Sequence, residues 1–361
     1  MIKTKRNVNI QSDKWIKNFF CACSMMLLFF ALCVYIIDPF YQFRVRDNSY
    51  MLNGWLVGSG LIENYDYDTL IVGSSLTQNF NMYLFRKEMN VKPLHVGLGG
   101  MNKNELIDFV NLSYSEGKAQ TYYICIDLVT FTHGEDESRY PKYLLKKDAL
   151  SRGKYFLSYE AWFRYIPVDF VLSTANMLGV KLPEKYQYKM SIDKLGDWSL
   201  DYQFGEEIVT ENYINQKYSV SDVDTTNLYT QMIECIDDFF EKFNFTEGKH
   251  VFFFPPYSDL YWCDAQDCGY FEIYLDAKEY FIEKANIAGV DVFDFQGDEL
   301  TMNLDNYKDT THYSPQINDY IIKCFANGQN MTSVDKISEM RNLIVHNTNQ
   351  FREQHIELFE D

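Results

Sequence analysis

The 361-residue chain is 47% apolar and carries 33 basic against 51 acidic side chains, a net charge of −18. That composition supports the core of one large domain or two small ones. It argues against a nucleic-acid partner, which needs clustered Lys and Arg to neutralise phosphate.

Residues 1–17 form a basic tail, with Lys3, Lys5, Arg6, Lys14 and Lys17 against Asp13 alone. Residues 18–37, NFFCACSMMLLFFALCVYII, carry no charge. A helix of that length rises about 30 Å, enough to cross the hydrocarbon core of a bilayer. The basic flank predicts a cytoplasmic N-terminus and everything after Asp38 outside, as a single-pass cell-membrane protein. Trp15, Tyr35 and Tyr41 suit the two membrane interfaces. The apolar run is long for a cleaved signal, YIIDPFYQF offers no small-x-small cleavage site, and Leu32 before Cys33 is wrong for a lipoprotein signal. An uncleaved anchor is the expectation.

Residues 38–68 read as a juxtamembrane connector, opening on DPFYQFRVRDN. Strand and helix patterns then alternate. TLIVG (69–73) is a short apolar run, and KPLHVGLGG (92–100) is a second that ends in glycines. In NKNELIDFVNLSYSEG, Asn102 is a candidate N-cap with Glu105 three residues on, and Gly117 is a stop. TYYICIDLV (121–129) is apolar almost throughout, as a strand buried on both faces should be. From about 132 to 223 the periodicity weakens into a Tyr-, Trp-, Lys- and Asp-rich stretch, read as a partly helical insertion over one end of the sheet. Helical spacing returns at Leu228, Met232, Ile236, Phe239 and Phe243. HVFFFPP is a fourth strand, YFEIYLDAKEYFIEKANIAG a helix and VDVFDF a fifth strand. SPQINDYIIKCFA is a helix with Pro315 in its first turn. The tail, 331–361, is polar and amphipathic. These spacings predict an α/β fold, a mainly parallel sheet with helices on both faces over 69–330. Sites in such sheets form at the carboxyl ends of the strands.

Cys21, Cys23 and Cys33 lie in the anchor; Cys125, Cys235 and Cys324 read as core. Cys263 and Cys268 fall in YWCDAQDCGY, read as a loop where an oxidising compartment would allow a local disulfide. The nearby ligands are too few for a metal site.

The chemistry converges on VGSSLT. A serine on a strand-to-helix turn is presented at the sheet edge, with N–H groups that can stabilise an oxyanion. It needs a base within hydrogen-bond reach, itself oriented by an acid. Of His95, His133, His250, His312, His346 and His355, only His312, in DNYKDTTHYSP, combines a loop after a strand with an acid, Asp309, three residues away. His95 and His250, each beside an apolar run, read as structural. The tyrosines of the insertion read as core and lid packing.

These blocks together resemble the SGNH (GDSL-like) hydrolase superfamily, whose first block is Gly-Asp-Ser and whose last is Asp-x-x-His. The resemblance implies a three-layer α/β/α, flavodoxin-like domain with Ser75 as nucleophile, His312 as base, Asp309 as its orienting acid, and Ser74 in place of the family's Asp. The oxyanion donors would be Gly100, in HVGLGGMN, and Ser75. The third block's Asn has no counterpart; CIDLVTF offers Asp127 and Thr130 as supporting residues. The anchor, the Asp-Pro-aromatic stretch and DTTHYSPQINDYII further resemble membrane-anchored SGNH proteins that accompany MBOAT acyltransferases, such as DltD-like and polysaccharide O-acetylation accessory proteins. That resemblance implies an esterase or O-acyltransferase on a cell-envelope polysaccharide or teichoic-acid-like polymer, with an MBOAT partner and no cofactor or metal. It equally allows a catalytically silent accessory subunit that docks on the acyltransferase and presents polymer.

Overall fold

The five apolar runs are five adjacent parallel strands: β1 (Thr69–Gly73), β2 (Pro93–Gly97), β3 (Thr121–Cys125), β4 (Lys249–Phe254) and β5 (Asp291–Asp294). The computed structural model describes residues 2–46, 51, 53–131, 138–184, 186, 191–195, 197–199, 201–217 and 225–359. Sheet order is β2-β1-β3-β4-β5-β6, where β6 (Met331–Thr332) is a two-residue antiparallel edge strand absent from the sequence reading. β1 and β2 are buried along their whole lengths, so apolar residues fill both faces and no alternation survives. With β2 on one side of β1 and β3 on the other, strand order reverses at β1, where crevices form beyond the carboxyl ends.

Helix α1 (Ile2–Ile37) contains Asp13–Ile37, long and apolar enough to cross a membrane. Its exit is a knot. Asp38, with φ 43°, accepts hydrogen bonds from the N–H groups of Gln42, Phe43 and Arg44 and from the Tyr155 hydroxyl. The expected connector contains a largely buried helix, α2 (Gly54–Asn64), whose Gly60 lets the Phe40–Tyr41 backbone pass where any side chain would collide with it. Asn64 Nδ2 donates to the Tyr41 carbonyl at 2.7 Å. Tyr41 is therefore buried within the domain and is no interface aromatic, contrary to the sequence expectation.

α3 (Met82–Met89) joins β1 to β2, and α4 (Lys103–Glu116) joins β2 to β3. Asn102 and Glu105 close the expected capping box, and Gly117 ends α4 at φ 61°. The insertion contributes α5 (Ala149–Phe156), a π-helical turn (Glu160–Tyr165) running into α6 (Ile166–Met177), and α7 (Glu206–Lys217). His133 lies outside the described residues. α8 (Leu228–Lys242) buries Leu228, Met232, Ile236 and Phe239 at the expected period.

YWCDAQDCGY is not a loop. Most of it lies in α9 (Asp259–Asp267), which buries Leu260, Tyr261, Trp262, Cys263 and Ala265. Cys263 and Cys268 form no disulfide with each other, and Cys263 Sγ donates to the Thr348 carbonyl, 3.5 Å away. A helix directs residues five apart in different directions, so this pair is not placed to bridge. Cys125 and Cys324 are buried and Cys235 half-buried. α10 (Phe271–Ile287), α11 (Pro315–Asn327, with Pro315 in its first turn) and α12 (Ile337–Gln354) complete the chain. α12 packs against α9, so the polar tail is part of the domain.

Candidate active site

β1 ends in Gly73, and the chain turns at once. Gly73 lies against β3: a Cβ there would be 2.5 Å from Cys125 Cβ. Ser74 caps a single 3₁₀ turn, Ser75–Thr77. Its Oγ donates to Asp127 Oδ2 at 3.0 Å. The other Asp127 oxygen accepts from the Tyr257 hydroxyl, and the Asp127 carbonyl accepts from Thr130 N and Oγ1. Ser74, Asp127 and Thr130 thus form one buttress beneath the turn.

That buttress holds Ser75 facing a second loop. Tyr307 and Tyr313, both buried, pair as an isolated antiparallel bridge, and Lys308 N donates to the His312 carbonyl. Asp309 to His312 is the tight turn between them. Ser258 N and Oγ both donate to the Thr310 carbonyl, pinning the turn to the end of β4. Ser75 Oγ lies 2.7 Å from His312 Nε2, and His312 Nδ1 lies 2.9 Å from Asp309 Oδ2. Asp309 Oδ1 also accepts the N–H groups of His312 at 2.8 Å and Thr311 at 3.0 Å. Burial alone would raise the Asp309 carboxyl. The hydrogen bonds and charge of His312, with those two N–H donors, outweigh it and hold the carboxyl well below the usual carboxylate range.

Three residues not marked in the sequence complete the arrangement. Asn79 Nδ2 donates to the Tyr313 carbonyl at 2.9 Å, and Asn79 Oδ1 accepts from Asn318 Nδ2, so a buried amide ties the serine segment to the histidine loop. Trp198, from the insertion, donates its indole N–H to the Ser75 carbonyl at 3.0 Å and packs edge-on to His312, centroids 5.5 Å apart. Lys308 Nζ lies 3.5 Å from Asp309 Oδ2 and 3.8 Å from the Tyr202 ring centroid. The aromatic character of 198–204 was the available signal for Trp198; an Asn four residues after Ser75 carries none.

Gly100 lies beyond β2, at the same edge of the sheet. Its φ of 68° belongs to the left-handed region that glycine occupies without strain. Arg139 donates to the carbonyls of Gly99 and Gly100 and to Glu105, stapling the turn. His95 and His250 are structural: His95 meets Thr77 Oγ1 at 3.1 Å and His250 the Tyr114 hydroxyl at 2.6 Å, and burial pulls both imidazoles down to about 4. A groove of about 660 Å³ beside β6 is lined by none of the sequence-marked site residues. Among the described residues, no group of three or more His, Cys, Asp or Glu is arranged to hold a metal.

The chain matches no protein-family model and no curated protein.

Proposed function

We propose that the chain is an SGNH-type serine esterase or O-acyltransferase acting on acyl groups of a cell-envelope polymer. The observation that carries this reading is the relay from Ser75 Oγ through His312 to Asp309, at 2.7 and 2.9 Å. His312, with its Nδ1 proton held by Asp309, takes the Ser75 proton on Nε2 as Oγ attacks the ester carbonyl. The N–H groups of Ser75 and Gly100 receive the oxyanion. The tetrahedral adduct collapses, the Nε2 proton goes to the departing alkoxide, and the acyl group stays on Ser75. A polymer hydroxyl or water, deprotonated by His312, then takes the acyl group and restores Ser75. These steps need neither metal nor organic cofactor.

Further support comes from the two departures from the superfamily pattern, which touch. Ser74, where the family has Asp, donates to Asp127, in the region of the third-block Asn. The Asp127 carboxylate is thereby engaged by two hydroxyls rather than left facing a developing oxyanion. The chain steps from β1 out to β2 through α3 and returns past β1 through α4; right-handed crossovers at both steps would carry these helices to opposite faces, which supports the three-layer α/β/α, flavodoxin-like reading. The basic residues before α1's apolar segment put the N-terminus in the cytoplasm and the domain outside. There, an MBOAT-type acyltransferase is the natural partner.

A second reading, a silent subunit that presents polymer to that acyltransferase, is favoured by the carboxylate of Asp127 where an amide donor would be. Fluorophosphonate labelling tests the first reading. Wild type and Ser74→Ala label; Ser75→Ala and His312→Ala lose labelling. An unlabelled wild type, or labelling that persists in Ser75→Ala, sinks the nucleophile. Under the second reading, Ser75→Ala leaves polymer acylation intact in cells.

A further inference from the structure

The segment 157–180 exposes a run of large apolar side chains to solvent. Tyr159, Phe163, Phe170, Val171, Met177 and Leu178 are between 59 and 85% exposed. Between Arg164 and Lys181 the one charged side chain is Asp169, which is buried and paired with Arg46 at 2.6 Å. A water-facing helix does not have this composition, and a core helix does not have this exposure. The helical run from Glu160 to Met177 is short for a span and long enough to lie in an interface.

Its position tells what covers it. Trp162 packs edge-on against Phe30 of α1, centroids 4.3 Å apart. Val34 of α1 is fully buried in a cluster with Phe40, Ala161 and Ile166. Phe30 precedes the end of α1 by seven residues, about 10 Å along the helix axis. A helix touching α1 at that depth lies beside it at the level to which interfacial amphipathic helices sink their apolar faces, about 5–10 Å. Arg164 and Lys181, both exposed, bracket the stretch, whose one charge is the buried Asp169, and suit headgroup phosphates.

We propose that residues 157–180 are a second membrane-contacting element, lying in the leaflet from which α1 emerges, with lipid acyl chains as its partner. This rests on α1 spanning the bilayer.

The test uses the full chain in phosphatidylcholine vesicles doped with a phosphatidylcholine whose acyl chain carries a photoactivatable diazirine, followed by peptide mapping. Cross-links are expected in 18–37 and in 157–180. They are not expected at Ile287, which is 82% exposed at the end of the helix that packs on β5. Combining Val171→Glu with Met177→Glu should cut labelling of 157–180 several-fold and leave the anchor's unchanged. Anchor labelled with 157–180 unlabelled overturns the proposal and assigns the patch to a second copy or a protein partner. An unlabelled anchor overturns the spanning reading and the proposal with it. Neither result bears on Ser75, whose fluorophosphonate reaction is read separately.

Discussion

The Asn79 side chain hydrogen-bonds to Tyr313 and Asn318, and so joins the two loops that carry Ser75 and His312. Removing its amide leaves the Tyr313 carbonyl and the Asn318 amide without their partner; a buried polar group so orphaned costs about 1–3 kcal/mol. Asn79→Ala should fold, lose stability by about that amount, and react with fluorophosphonate at least tenfold more slowly than wild type; an unchanged rate would show that the two loops hold register without it. Gly73→Ala tests the turn from the other side. The added methyl meets Cys125 and Thr77, so the Ser75 turn must move, and labelling should fall by more than stability does. Asp309 gives a pH signature. Its carboxyl is held low in the folded protein, so its contribution is complete above the unfolded value, about 4, and is lost as pH falls through that value toward the folded one. Urea midpoints measured from pH 6 down to pH 3 should therefore fall less steeply in Asp309→Asn than in wild type.

α9 holds a carboxyl with the opposite sign. Burial pushes Asp259 up to about 7, against weaker opposing hydrogen bonds from Thr301 and Thr348. Thr301 Oγ1 lies within reach of both Asp259 Oδ2 and the Asp298 carbonyl, yet has one proton to give. A protonated Asp259 resolves this by donating to Thr301, whose proton then goes to Asp298. Because the folded value is raised, stability is full below about pH 4 and is lost as pH rises through 7. Asp259→Asn, which keeps a donor, should raise stability at pH 8 by about 2–4 kcal/mol and change it little at pH 4. Equal effects at the two pH values would mean that Asp259 is ionised in the folded state throughout. The same helix shows where the sequence was hard to read. α9 buries side chains on nearly every side, so its apolar residues keep no period, and two Asp beside two Cys look like a loop. By contrast, α4 and α8 face the core on one side and carry caps or spacing that can be read directly. The five parallel strands were legible because burial on both faces leaves uninterrupted apolar runs. Ser75, Asp309 and His312 were legible because a three-residue interval within one turn brings acid to imidazole. Trp198 was not, because its contacts come from an aperiodic segment more than a hundred residues from either partner.

At the scale of the molecule, the insertion connects two regions. Its first part packs on α1, and its later part brings Trp198 to Ser75 and His312. Arg46 and Asp169 join the chain leaving α1 to α6. Removing Arg46 takes one partner from a buried ion pair, a change worth up to about 3–5 kcal/mol at such pairs. Arg46→Ala should therefore release α6 locally: protease should cut within 157–180 while the bulk of the domain melts near its wild-type temperature, and resistance to cutting there would show that the apolar contacts suffice.

The knot at Asp38 bears on reach. Because Asp38 gathers three N–H groups and the Tyr155 hydroxyl at the end of α1, and Gly60 seats the Phe40–Tyr41 backbone on α2, the domain does not swing on a tether. With α1 spanning a bilayer, as proposed above, Ser75 is carried at one height and one tilt above the lipid, like a tool on a fixed arm. On the proposed function, the acyl groups it meets are then selected by altitude as well as by chemistry: those presented at that level are in range, and those deeper or farther out must be brought to it.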